Sequence, residues 1–324
     1  MQGKNAIIFH LSYPVVSTRN AGYGSNNTKT AKQLSMDINL FKEIAQKTLD
    51  LLAHAVFPAA VFVISANINF REFFDEFRKP LIFIRAFIVA SIVVPLMTAG
   101  VVKLFDVPLL IAGIMLIAAS APGDSFVILE AKAKKGNVRL AAATMTLLCL
   151  TMPFTVPFWM GLFSRWFELH LAVPPVDLFE AIAPITILPI AAGIILRSFL
   201  PSCTNILQQC AEIIFKVAIV TVGIFALILG FEGLRHFTVP AVAAILLVVS
   251  LAIVFGYYAG GGERKDRISL ALTASMGNFA VVILIAHLSY PGAHILAVAI
   301  AFVILRGLTI LSWHLLLKLR LRTP

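Results

Sequence analysis

The stretch VPLLIAGIMLIAASAPGDSFVIL, residues 107–129, decides how this chain is built. Its first part is apolar enough to enter a lipid bilayer, and its last four residues are apolar again. Between them stand Pro122, Gly123, Asp124 and Ser125. Proline removes a backbone donor and its ring clashes with the preceding helical turn, while glycine opens dihedrals that other residues avoid. A continuous helix is therefore expected to break here. Unwound backbone at membrane depth is tolerated where it lines a cavity inside the protein, which would put Asp124 and Ser125 at that cavity. The plainer alternative is a loop followed by a short amphipathic helix.

The rest of the chain supports a membrane setting. Hydrophobic residues make up 60% and charged residues only 13%, and the mean hydropathy is +0.94. A soluble fold could not cover so much apolar surface. The net charge of +10 does not point to nucleic acid, because the basic residues fall in short loops between apolar runs rather than on one patch. Cys149, Cys203 and Cys210 show no metal-type spacing and no even-numbered framework. Neither a metal nor a cofactor is expected.

Hydropathy read in windows of about 19 residues gives runs at 51–68, 80–102, 107–133 with its interruption, 140–163, 178–200, 213–231, 237–260, 268–288 and 291–316. The expected fold is an all-α polytopic membrane protein of about nine transmembrane helices. Basic residues concentrate in alternate connections. One side collects Arg71, Arg78, Lys79, Lys132, Lys134, Lys135, Arg139, Arg197, Arg264, Lys265, Arg267, Lys318, Arg320 and Arg322, against Lys103, Arg165 and Arg235 on the other. The positive-inside rule then puts the C-terminus in the cytoplasm of a cell or inner-membrane protein.

Nine spans divide as four, one and four, and the second four begin after five crossings, so the two units run in opposite directions. The expected organisation is a polar tail over 1–47, a first repeat over 48–164, a linking span over 165–210, an inverted repeat over 211–317 and a cytoplasmic tail over 318–324. The N-terminal tail holds no acid before Asp37. It reads as a disordered extension, or as residues ahead of a start at Met36, with an organellar transit peptide as the alternative. By parity it lies outside, whereas a tenth span would bring it inside.

The third run of each unit is the irregular one, and paired interrupted spans point to a transporter's midplane binding site. The second of them reads LALTASMGNF over 270–279. Small residues such as Ser275 and Gly277 also serve helix packing, and it is the pairing with the first break that favours a site. Half-helix ends present free backbone groups suited to ions and anionic groups. Arg85, Lys216 and Arg306 stand inside runs. The first two are near enough to cytoplasmic ends to snorkel, and His54 reads as a structural histidine. Arg306 sits near the centre of the last run and reads as a partner for Asp124 or a receptor for a substrate carboxylate. The candidate substrate- or ion-binding set is Pro122, Gly123, Asp124, Ser125, Thr273, Ser275, Asn278 and Arg306.

From about Ser65 to Trp313 the chain resembles the bile acid:sodium symporter family. The likeness is carried by residues 74–80, Pro122-Gly123, Gly136-Asn137 at the same distance beyond it, and Met276 and Asn278. It implies an inverted-repeat fold with two crossed, broken helices and transport of organic anions. The family's sodium ligands are largely replaced. Its Gly-Gly pair falls at Gly123-Asp124, its Ser-Asn pair at Val127-Ile128, and its Glu and Gln at Thr273 and Gly277. Valine and isoleucine offer a hard cation no side-chain oxygen. These departures argue against sodium coupling and leave a proton on Asp124 as the alternative, since an ionisable residue within the membrane is a functional-site hypothesis by default.

The function expected is secondary active transport of a small organic anion, with the lipid bilayer as setting and no nucleic acid. Two other classes compete. An intramembrane aspartyl protease needs two carboxylates sharing one site, and no second acid accompanies Asp124 at mid-run depth. A receptor that keeps the fold and binds without transporting is consistent with the replaced ligands, because fold alone does not establish function.

Overall fold

The computed structural model describes residues 58–59, 61–63, 65–66, 69–76, 78, 80–124, 126–167, 175–278, 281–282, 285 and 293–320. The tail over 1–47, His54, Ser125, most of the first expected span and much of the second half of the run at 268–288 lie outside them. The described elements are α1 (Phe70–Glu76), α2 (Pro80–Leu104), α3 (Leu109–Ser120), α4 (Phe126–Ala133), α5 (Val138–Trp166), α6 (Pro175–Phe199), α7 (Pro201–Leu234), α8 (Val239–Ala259), α9 (Arg264–Ser275) and α10 (Ala293–Arg320). Among the described residues every regular element is helical.

Three of these helices, α2, α5 and α8, are long and apolar enough to cross a membrane, and shorter apolar helices lie at Leu109–Ser120, Ile187–Phe199 and Ala297–Trp313. On α2 the exposed residues Leu81, Ile84, Ile88, Ile92 and Leu96 recur at three- and four-residue steps, so they share one face. Leu150, Phe154 and Phe158 do the same on α5. Water-soluble monomers rarely leave such continuous apolar faces uncovered; hydrocarbon suits them. The opposite faces pack inward, and α3 is buried along nearly its whole length, from Ile111 to Ser120.

α2 changes pitch in mid-course. Residues Val89–Val93 form a π-turn, closed by the Val94 N–H on the Val89 carbonyl. The cause lies in Pro95, which has no N–H to offer the Ser91 carbonyl one turn back. The buried indole Nε1 of Trp159 on α5 donates to that carbonyl at 2.8 Å. α7 departs from expectation, since the boundary placed at 210–211 falls inside it. Hydropathy detects bilayer depth rather than helix length, and the polar turn residues Thr204, Asn205, Gln208 and Gln209 continue the helix back to Pro201 at its first position. At 34 residues α7 is about 50 Å long.

α8 and α9 lie in backbone contact. A Cβ at Gly256 would overlap the Leu270 carbonyl, and one at Gly260 the backbone of Arg267, so a four-residue spacing of glycines permits the approach. Polar contacts knit one end of the helices. The Phe70 N–H donates to Ser198 Oγ at 2.9 Å, Arg139 lies 3.8 Å from Glu72, and the Asn137 N–H donates to the Lys265 carbonyl at 3.2 Å.

Candidate functional site

The two sequence breaks meet. α3 ends at Ser120 and α4 starts at Phe126, while α9 ends at Ser275. The extended residues between pair as an isolated antiparallel bridge of Pro122 with Gly277. Proline cannot donate, so the ladder is closed from the other side: the Asn278 N–H donates to the Ala121 carbonyl at 2.6 Å. The Asn278 amide makes a second tie, Nδ2 donating to the Gly123 carbonyl at 2.6 Å. Its Oδ1 accepts from the Val281 N–H at 3.2 Å, and its carbonyl accepts from the Val282 N–H at 3.0 Å. Asn278 thus caps the helix that resumes after the second break. Two glycines make the crossing this tight. Gly123 takes φ +107°, and a Cβ at Gly277 would overlap the Ala118 carbonyl.

Asp124 stands in the first break, and Arg306 reaches the second from another helix. Asp124 precedes α4, its carbonyl accepting from the Val127 N–H at 3.1 Å, so the residue stands at a helix N-terminus, which favours an acid. Arg306, 8% exposed, reaches from α10 to the C-terminal end of α9. Its Nε donates to the Ser275 carbonyl at 2.8 Å and its Nη1 to the Gly277 carbonyl at 3.1 Å. A cation there satisfies carbonyls that the ending helix leaves without donors. Asp124 is half-buried, and its neighbour Gly123 packs against the buried Cys149 thiol. Cys149 in turn faces the Gly123 carbonyl, with Sγ at 3.9 Å.

Beside the crossing a partly open pocket is walled by Ala90, Val94, Thr98, Met115, Ala118 and Phe302 among others, and Pro122, Ser275, Gly277 and Arg306 also line it. Of the candidate set, Pro122, Ser275 and Arg306 line this pocket, Gly123 and Asn278 stand at the crossing beside it, with Asp124 next in the chain to Gly123; Ser125 lies outside the described residues. Thr273 stands apart from the cavity wall: its hydroxyl donates to the Ser269 carbonyl of its own helix at 2.9 Å. The Ser275 hydroxyl also turns back, to Leu272 at 3.1 Å. One group was missed in the sequence. Asp266, 4% exposed, accepts from Asn137 Nδ2 at 2.8 Å, and the Asn137 carbonyl accepts from Ser269 Oγ at 2.9 Å. Its one local signal is an acid in the first turn of a helix.

A family model described as the Sodium Bile acid symporter family matches residues 57–256. The chain belongs to this family. It is also 27% identical, over 203 residues, to the uncharacterized sodium-dependent transporter YocS of Bacillus subtilis (strain 168). That match covers 62% of this chain and 60% of the relative. Family membership and the apolar helices together make it an integral membrane protein. The family's name implies a sodium ion, and the residues at the crossing do not suit one. Val127 and Ile128 are buried hydrocarbon, the Ser275 and Gly277 carbonyls already receive Arg306, and the Asn278 amide is committed at both ends.

Proposed function

We propose that this protein is a secondary active transporter that carries a small organic anion by alternating access. In this reading nine crossings form two inverted four-helix repeats joined by one linking span, α6, with α7 opening the second repeat. The observation that carries it is the meeting of two helix breaks at Pro122 and Gly277 beside a largely apolar pocket that buried Arg306 helps to line. Discontinuous helices at a repeat interface are where carriers bind substrate and coupling ions, because their exposed ends supply polarity without lipid-exposed backbone. An apolar wall with one cation suits a solute with a hydrocarbon body and one anionic head. Asp124 is the group that would carry the coupling proton.

Uptake into proteoliposomes tests this, using labelled organic anions, imposed proton or sodium gradients, and the native chain against Asp124→Asn. Proton-driven uptake that is lost in the variant is the expected result. Sodium-driven uptake indifferent to the variant would remove Asp124 from coupling. A compound that binds tightly yet never crosses would assign the receptor role instead, a reading favoured by the hydrocarbon at Val127 and Ile128.

A further inference from the structure

We infer that Arg306 is a tethered cation that takes the place of a bound sodium ion at the helix crossing, so that the crossing closes without sodium. The end of α9 presents the Ser275 and Gly277 carbonyls towards one point, where a single guanidinium reaches both. Backbone carbonyls are among the ligands a small hard cation takes. Here the guanidinium occupies that point, bonded to both carbonyls and anchored through the packed helix α10. A diffusible ion has to be captured from solution, whereas a side chain is present at fixed stoichiometry and needs no gradient.

Two further observations agree with this. Gly277 leaves no space for a side-chain ligand beside the Ala118 carbonyl, so the crossing is too tight to add an oxygen from that position. The oxygens that remain, on Thr273 and Ser275, are turned to their own helix. Arginine is suited to the role because its planar fork reaches two carbonyls at once and its charge survives burial, which a lysine point charge does not match. The inference concerns the coupling ion of the transport reading and rests on it for that meaning, but its test does not need transport.

The test is the thermal midpoint of the purified protein in detergent, in sodium, potassium or choline chloride at equal ionic strength. The native midpoint is expected to be the same in all three. Arg306→Ala is expected to unfold at lower temperature and to recover by roughly 2–4 °C in sodium alone, the shift that binding to the folded state of a protein this size would give. Arg306→Lys is expected to fall between and to stay indifferent to sodium. A sodium-selective rise in the native protein would overturn the inference, as would a folded Arg306→Ala with native stability and no sodium response. Should Arg306→Ala fail to fold, direct binding of radiolabelled sodium to the native protein decides: none is expected, and saturable binding displaced by unlabelled sodium overturns it. Failure of uptake alone would leave these outcomes unchanged and count against the transport reading only.

Discussion

Asn278 holds the crossing with hydrogen bonds in three directions, to Ala121, Gly123 and Val281. Because Oδ1 accepts from a backbone N–H, Nδ2 is the end that must face the Gly123 carbonyl, so the amide orientation follows from its partners. Asn278→Ala removes the cap and leaves the Gly123 carbonyl without its amide donor. The expected loss is about 1–3 kcal/mol of stability, read as a lower thermal midpoint in detergent. Gly277→Ala acts by a different route. The added Cβ meets backbone at Ala118 and Ala121, which cannot rotate away as a side chain would, so the two breaks must separate. Its expected signature is a larger stability loss than that of Asn278→Ala and loss of bound organic anion in equilibrium dialysis. A Gly277→Ala protein with native midpoint and binding would show that the breaks do not need this contact.

At the scale of the helix, α2 is shaped by a proline and repaired from its neighbour. Pro95 withholds the donor that Ser91 would otherwise receive, and Trp159 supplies one from α5. Trp159→Phe keeps an aromatic ring and removes the donor, at an expected cost of about 1–3 kcal/mol. Adding Pro95→Ala restores a backbone donor to the same carbonyl, so the double variant should recover part of that loss, a coupling that a thermodynamic cycle in denaturant would measure. Additive effects would show that the two residues act independently. This device was not legible in the sequence, because Trp159 and Ser91 are 68 residues apart and no local period links them. The breaks at Pro122-Gly123 and within 270–279 were legible, since Pro122, Gly123 and the run of small polar residues interrupt helical patterning wherever they stand, although the second helix continues to Ser275. Arg306 was legible as a buried charge but not as the cap of α9. Its carbonyl partners have no side-chain identity to read. The tie of Asn137 to Asp266, 129 residues apart, was hidden for the same reason as the Trp159 contact.

The distribution of charge makes sense only over the whole molecule. The basic loops are far apart in sequence, yet α1 touches the end of α6 through Phe70 and Ser198. α1 also meets the start of α5 through Glu72 and Arg139, and the start of α5 meets that of α9 through Asn137 and Lys265. Arg71, Arg78, Lys135, Arg139, Arg197, Arg264 and Lys265 therefore gather at one end of the helices. Surface ion pairs of this kind contribute little to stability, so the gathering is better explained by insertion, which retains Lys and Arg on the cytoplasmic side. Single cysteines placed at Lys135 and at Lys103 test the orientation. Cys203 and Cys210, both exposed, would first be replaced by serine, while buried Cys149 can stay. A membrane-impermeant thiol reagent applied to intact cells is expected to label the Lys103→Cys protein and spare the Lys135→Cys protein, with the pattern reversed in inside-out vesicles. Labelling of both from one side would place the two loops on the same face and break the alternation on which the inverted repeats depend; the mirror result would keep the repeats and invert the whole molecule, against its own charge.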